Sequence, residues 1–216
     1  MFFLRDSRRL DSTNPSGNLN HMPQTAKAYG PRLYDAIELA ARAHHGQVRK
    51  GTEIPYIVHP LAVAGILIRA NCPEHLIIAG ILHDTLEDTP VRLEEIRSQF
   101  GREVADLVVA LSEPDKKAPW EERKAHTIDH LEQVATLDVL LVSVADKLDN
   151  MRAIRDGLES DGEDFWLRFN RPRESQKWYY QRLAGVFQRR ISAGAGVALA
   201  QAFKVEVVRV FGAIPA

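Results

Sequence analysis

Leu76-Ile77-Ile78-Ala79-Gly80-Ile81-Leu82-His83-Asp84-Thr85-Leu86-Glu87-Asp88 is the stretch on which the reading of this chain turns. Seven non-polar residues run straight into a His-Asp pair. A segment that is apolar on every side reads as a buried helix. An ionised Asp directly behind it sits close to the interior, where a carboxylate is costly unless it is paired, hydrogen-bonded or bound to a metal. Val139-Leu140-Leu141-Val142-Ser143-Val144-Ala145-Asp146 repeats the pattern. Two carboxylates carried toward a core by separate helices invite a shared cation.

Taken singly, each pair has a plainer explanation. His83-Asp84 alone reads as a surface pair or a cap, and Asp146-Lys147 as an ordinary salt bridge. The ordered set of His59, His83, Asp84 and Asp146, each on a helical segment, favours ligation of one divalent ion instead. Mixed imidazole and carboxylate donors suit Mn, Fe, Co or Zn better than Mg or Ca, which prefer all-oxygen shells. Glu87 and Asp88 follow His83 and Asp84 by four residues, so one helical turn sets them above the candidate ligands. There they could hold or deprotonate a water; the alternative is that Glu87-Asp88-Thr89-Pro90 ends one helix and caps the next. Asn150 lies one turn beyond Asp146 and offers an amide to a phosphate, a sugar or a base.

Helical patterning extends outward from this stretch. Leu33, Ile37, Ala40 and His44 recur at helical spacing, with Pro31 suited to a first turn and Gly46 just past the end. The predicted helices are His59–Ala70, His75–Leu86, Arg92–Phe100, Glu103–Leu111, Pro119 to about Val134, Leu137 to about Arg155, Glu174–Arg190 and Ala198–Phe211. No segment alternates convincingly at period two. The expected fold is all-α. Residues 1–24, rich in Asp, Asn, Ser, Arg, Gly and Pro, read as a flexible extension, with Met22 as an alternative start. Residues 25–216 read as one domain, with the chemistry between 43 and 152 and C-terminal helices reaching 216.

Bulk properties agree with a medium-sized domain: 216 residues, 45% hydrophobic and 26% charged. A net charge of -1 argues against a global attraction for nucleic acid or an anionic membrane. The single cysteine, Cys72, excludes an internal disulfide framework and suits a reducing cytoplasm. No apolar run approaches the ~18–20 residues of a membrane span. A cytoplasmic protein is expected; its oligomeric state is not legible, a homodimer being one option.

Ala43-His44-His45-Gly46-Gln47-Val48-Arg49-Lys50, Pro55-Tyr56-Ile57-Val58-His59-Pro60, Leu82 to Thr89 and Ala145-Asp146-Lys147-Leu148-Asp149-Asn150-Met151-Arg152 together resemble the HD hydrolase domain of RelA/SpoT-type proteins. The match is closer to the stand-alone small alarmone hydrolases of the Mesh type. The resemblance implies an all-α HD phosphohydrolase fold with one bound Mn ion. It implies removal of the 3′-pyrophosphate from guanosine tetra- or pentaphosphate (ppGpp, pppGpp) in the stringent response. By position, it makes His59, His83, Asp84 and Asp146 the metal ligands and Glu87 and Asp88 the water-activating groups. It also makes Arg49, Lys50, Tyr56 and Asn150 the contacts to a small nucleotide.

Asp149 departs from the histidine or tyrosine more common at that position, which alters the local charge. The basic and aromatic segments 113–126, with Lys116, Lys117, Trp120, Arg123 and Lys124, and 166–180 have no settled role in this reading. No synthetase domain fits the remaining sequence, so degradation alone is expected. Two alternatives stay open. The same site could act on adenosine alarmones or on the 2′-phosphate of NADPH, or the protein could be a non-catalytic partner of an alarmone synthetase.

Overall fold

The computed structural model describes residues 29–113 and 117–214, so the expected extension over 1–24 lies outside the described residues. The architecture is all-α, and among the described residues the only β pairing is an isolated antiparallel bridge between Val48 and Pro55. The helices are α1 Pro31–Ala43, α2 Val58–Arg69, α3 Glu74–Leu82, α4 Thr85–Asp88, α5 Leu93–Leu111, α6 Trp120–Gln133, α7 Leu137–Asp161, α8 Arg173–Arg190 and α9 Gly196–Phe211. A 3-10 helix, Gly162–Arg168, joins α7 to α8. Among the described residues, no helix is long and apolar enough to cross a membrane.

α3 and α7 form the centre. Every residue from Leu76 to Leu82 is buried, as its unbroken apolar sequence demands. α3 packs against α1, α2, α5 and α7, and α7 packs in turn against α2 and α9. Each fully buried Leu or Ile contributes roughly 1.5–3 kcal/mol. That burial fixes where α3 ends, and so where the residues behind it stand.

Two helices differ from their predicted extent. The predicted His75–Leu86 helix divides, because side chains take over its carbonyls. His83 Nδ1 donates to the Gly80 carbonyl at 2.8 Å, and Thr85 Oγ1 donates to that of Leu82 at 2.6 Å. α3 therefore stops at Leu82 and α4 restarts at Thr85. α7 continues beyond Arg155 to Asp161, because Arg155 is held by Glu206 of α9 at 2.9 Å and Gly157 gives room to the Phe165 ring. The predicted pair 92–100 and 103–111 stands as two helical stretches of α5 that meet at Gly101, where the backbone leaves the helix at a φ of 83° that suits glycine.

Between α1 and α2 the chain makes a hairpin-like loop. Arg49 N donates to Ile54 O at 2.8 Å and Tyr56 N to Gln47 O at 2.9 Å. Gly51 turns this loop at φ 69°, against the side chain of Arg168. These bonds hold Arg49 and Tyr56 beside the start of α2, where His59 is.

Candidate metal centre and its two cavities

Three separate elements deliver the candidate ligands. His59 is the second residue of α2, His83 and Asp84 follow α3, and Asp146 lies mid-way along α7. His59, His83 and Asp146 are buried, and one ligand atom from each falls within 4.8 Å of the others. His59 Nε2 is 3.3 Å from Asp146 Oδ1, and His83 Nε2 is 3.9 Å from the same oxygen. Asp84 stands against this triad, with Oδ2 3.0 Å from His83 Nε2 and 3.8 Å from His59 Nε2. Its Oδ2 also accepts the Tyr56 hydroxyl. All four residues predicted as ligands thus converge, with Asp84 at the edge of the closest three.

Both imidazoles are oriented from behind. His83 Nδ1 faces the Gly80 carbonyl, and His59 Nδ1 faces Asp149 Oδ2 at 2.6 Å. A carbonyl and a carboxylate can only accept, so in the neutral rings Nδ1 carries the proton and Nε2 turns its lone pair inward. This backing of a ring by an acceptor is how metal-binding histidines are held. His83 Nε2 is buried and turned into the cluster, toward Asp84 Oδ2. Such a donor set fits a divalent transition ion.

The electrostatics agree. Burial alone would lower the His83 imidazole, but the charges and hydrogen bond of Asp84, with Asp146 and Gly80, raise it to about 9. Burial would likewise raise Asp84 and Asp146. Asp84 is held well below the usual carboxylate range by His83 and His59, and Asp146 by Lys147 and both histidines. The pocket stabilises two ionised carboxylates and a positive charge beside them. A cation can take the place of the imidazole proton.

The acidic pair divides. Glu87 accepts the backbone N–H of Glu113 and lines a cavity with His83, Asp84 and Asp146. Asp88 is exposed and lines neither of the two cavities beside the cluster. Its backbone N–H donates to Asp84 O at 3.0 Å, and its carbonyl accepts Gln47 Nε2 at 2.8 Å.

On the His59 side lies a cavity of about 620 Å³, within the range of sites for small organic ligands. Arg49, Lys50, Tyr56 and Asn150 all line it. A hydrogen-bonded line leads from the cluster into its wall: Asn150 Nδ2 donates to Asp146 Oδ1 at 2.6 Å, and Arg49 Nη2 donates to Asn150 Oδ1 at 3.0 Å. The Arg49 guanidinium lies 5.9 Å from the centre of the Tyr56 ring, and Lys50 Nζ 5.6 Å from that of Phe169. Phe165, Phe169 and Tyr180 add flat apolar walls. On the Glu87 side a smaller cavity of about 340 Å³ is lined by Lys124, His126, His130, Lys147 and Tyr179.

Sequence reasoning missed several of these residues. Asp149 stood out only as a departure, yet it orients His59. Its place three residues after Asp146 puts both on one face of α7, the same rule that found Asn150. The two segments without a settled role supply cavity walls: Lys124 and Tyr179 on the Glu87 side, Arg168 and Phe169 on the other. Arg171 and Arg173 instead pair with Glu121 and Glu163. Lys116 lies outside the described residues.

The HD domain profile matches residues 36–166. A GTP pyrophosphokinase of Streptomyces coelicolor is 41% identical over 122 residues, covering 56% of this chain and 14% of that protein. The bifunctional (p)ppGpp synthase/hydrolase SpoT of Escherichia coli K12 is 36% identical over 127 residues, covering 57% of this chain and 18% of that protein. The chain thus spans less than a fifth of the length of these two bacterial relatives. A solved structure described as a metazoan ortholog of SpoT that hydrolyzes ppGpp aligns with a TM-score of 0.68 and 27% identity, covering 85% of this chain and 97% of the other.

Proposed function

The chain belongs to the HD domain family, and on that premise we propose that it is a divalent-metal-dependent hydrolase of guanosine tetra- and pentaphosphate, releasing pyrophosphate from the ribose 3′ oxygen to leave GDP or GTP. The observation that carries this reading is the hydrogen-bonded line Asp146–Asn150–Arg49, which joins the ligand cluster to the wall of the larger cavity. A nucleotide whose 3′-phosphate rests at the cluster has its sugar beside Asn150 and its base among Arg49, Tyr56 and the aromatic walls. The similarity to a metazoan protein described as hydrolyzing ppGpp supports the same substrate.

His59, His83, Asp84 and Asp146 are the residues that would hold the ion. Manganese is the expected one, because two imidazoles disfavour Mg and Ca. Such an ion lowers the pKa of water and offsets charge on a phosphoryl oxygen. Glu87 and Asp88 supply the acid–base groups, and Glu87 is the one that faces the cavity. It accepts the proton of the attacking water; oxygen adds to the phosphorus next to the ribose, the P–O3′ bond breaks, and the 3′ oxygen takes a proton from solvent water, while Glu87 returns its own to solvent. Arg49 and Lys50 bind the nucleotide by stacking and charge, and Asn150 positions its sugar.

Purified protein supplied with Mn and a panel of guanosine tetraphosphate, its adenosine counterpart and NADPH tests the proposal, with products identified. Turnover of the guanosine compound to GDP and pyrophosphate is expected. Preferential release of phosphate from NADPH would replace this substrate with another on the same site.

A further inference from the structure

α4 is a single turn, Thr85–Asp88, and it carries the acidic pair. So short a helix does not hold itself, because its nucleus fixes several dihedrals for the first bond gained. Neighbouring residues fasten its start: Thr85 Oγ1 donates to Leu82 O at 2.6 Å, and Asp88 N donates to Asp84 O at 3.0 Å. The carbonyls at a helix end lack partners within the helix. Here the last one is met by a residue forty-one positions upstream, Gln47, whose Nε2 donates to Asp88 O at 2.8 Å.

Gln47 is tied at two further points. Its Oε1 faces His44 Nδ1 at 2.8 Å, and its backbone carbonyl accepts the Tyr56 N–H at 2.9 Å. A carbonyl can only accept, so the amide turns its nitrogen to Asp88 and its oxygen to His44, and His44 Nδ1 carries the proton. The His44 ring is 2% exposed and lies 4.8 Å from that of Tyr56, whose hydroxyl donates to Asp84. His44 Nε2 is buried with no hydrogen-bond partner among the described residues. An apolar side chain would avoid that cost, so packing alone does not account for a histidine there. The Nδ1–H that fixes the Gln47 amide does.

We propose that Gln47 is a positioning residue for the reaction, tying the loop that carries Arg49 and Tyr56 to the far end of α4 and so setting the direction of Glu87. The inference rests on the reaction proposed above and adds to it. Glu87 stands one residue before the carbonyl that Gln47 holds, and its carboxylate is met separately by the Glu113 N–H. With both ties in place the backbone and the side chain of Glu87 are each anchored. Without Gln47 the end of the turn frays and the carboxylate wanders from the cluster. Gln47 lines neither cavity, so it acts on the chemistry through the residues it holds.

The test uses the full-length, manganese-loaded protein and two variants. Gln47→Glu keeps the length and the acceptor for His44 but offers Asp88 no N–H; Gln47→Met offers none and adds no charge. In both, hydrogen exchange at the Asp88 amide is expected to quicken about threefold to tenfold, the scale of one hydrogen bond, with the α3 amides unchanged. The kcat for guanosine tetraphosphate is expected to fall about tenfold, part of the roughly 100-fold that a positioned base supplies, while KM and manganese affinity stay near wild type. In a Glu87→Gln background the same substitutions should cost little more, because a residue acting through Glu87 has nothing left to position. Asp88 exchange indifferent to both variants, or a kcat loss undiminished in the Glu87→Gln background, would overturn the positioning role even in a protein that hydrolyses the alarmone. Quickened exchange in a protein that hydrolyses no alarmone would sustain the tie and remove the reaction.

Discussion

His59 Nδ1 lies 2.6 Å from Asp149 Oδ2, so the Nε2 atom of the same ring is the one presented to Asp146. The carboxylate fixes both the tautomer and the direction of the lone pair. Asp149→Ala should therefore weaken manganese about 10- to 100-fold, the usual cost of losing such a backing group. Asp149→Asn should recover part of that loss, since its amide oxygen can still accept. Direct metal titration of the three proteins checks this, and equal affinity in all would show that Asp149 has no part in holding His59.

Removal and replacement of the ion is the second expectation. Dialysis against a chelator should abolish turnover, and Mn should restore it better than Mg, because the donor set contains two imidazoles. Asp84→Ala and Asp146→Ala should lose metal and activity together. Full activity in rigorously stripped protein would refute the site.

The acidic pair allows metal binding to be separated from chemistry. Glu87→Gln and Asp88→Asn should keep the metal and the substrate while turnover falls about 100-fold or more. The larger loss is expected for Glu87, which lines the cavity where Asp88 does not. Loss of metal in either variant would make that residue a ligand.

Protonation of His83 sets a pH dependence. Its imidazole is raised to about 9 from an ordinary value of 6.5, so at neutral pH in the stripped protein an ion must displace that proton. Apparent manganese affinity should rise about tenfold per pH unit on approaching about pH 9, with proton release on binding. Because the folded value is the raised one, the stability that protonated His83 lends the stripped protein is complete below about 6.5 and lost as pH climbs through about 9. Melting curves with and without manganese should diverge over that interval. Parallel curves would mean that no such proton is held.

Much of this was legible in the chain because burial writes itself as hydrophobicity. The apolar runs before His83 and Asp146, the second interrupted only by Ser143, located α3 and the first half of α7. The break at Leu82 was not legible, since it depends on the side chains of His83 and Thr85 taking carbonyls that a regular helix would use. The extension of α7 past Arg155 was hidden for a related reason. It rests on Glu206, some fifty residues away, and on the Phe165 ring against Gly157. The cavity walls from α6 and α8 were the least accessible, because Lys124 and Tyr179 meet only after the chain has folded back through α7. Asp149 was within reach, one step from the spacing argument that found Asn150.

Arg49 is expected to read the nucleobase by its face. Its guanidinium already lies over Tyr56 and is steadied by Asn150. Stacking tolerates either purine, so Arg49→Ala should raise KM for guanosine and adenosine alarmones in similar proportion, by about 1–3 kcal/mol. A loss confined to one base would make Arg49 a reader of the base edge.

Hydrolysis in heavy-oxygen water, with mass analysis of every product, reaches the central claim most directly. Attack at the phosphorus next to the ribose predicts intact pyrophosphate carrying one heavy oxygen, and GDP carrying none. Stepwise release of orthophosphate, or heavy oxygen in the GDP, would contradict the account.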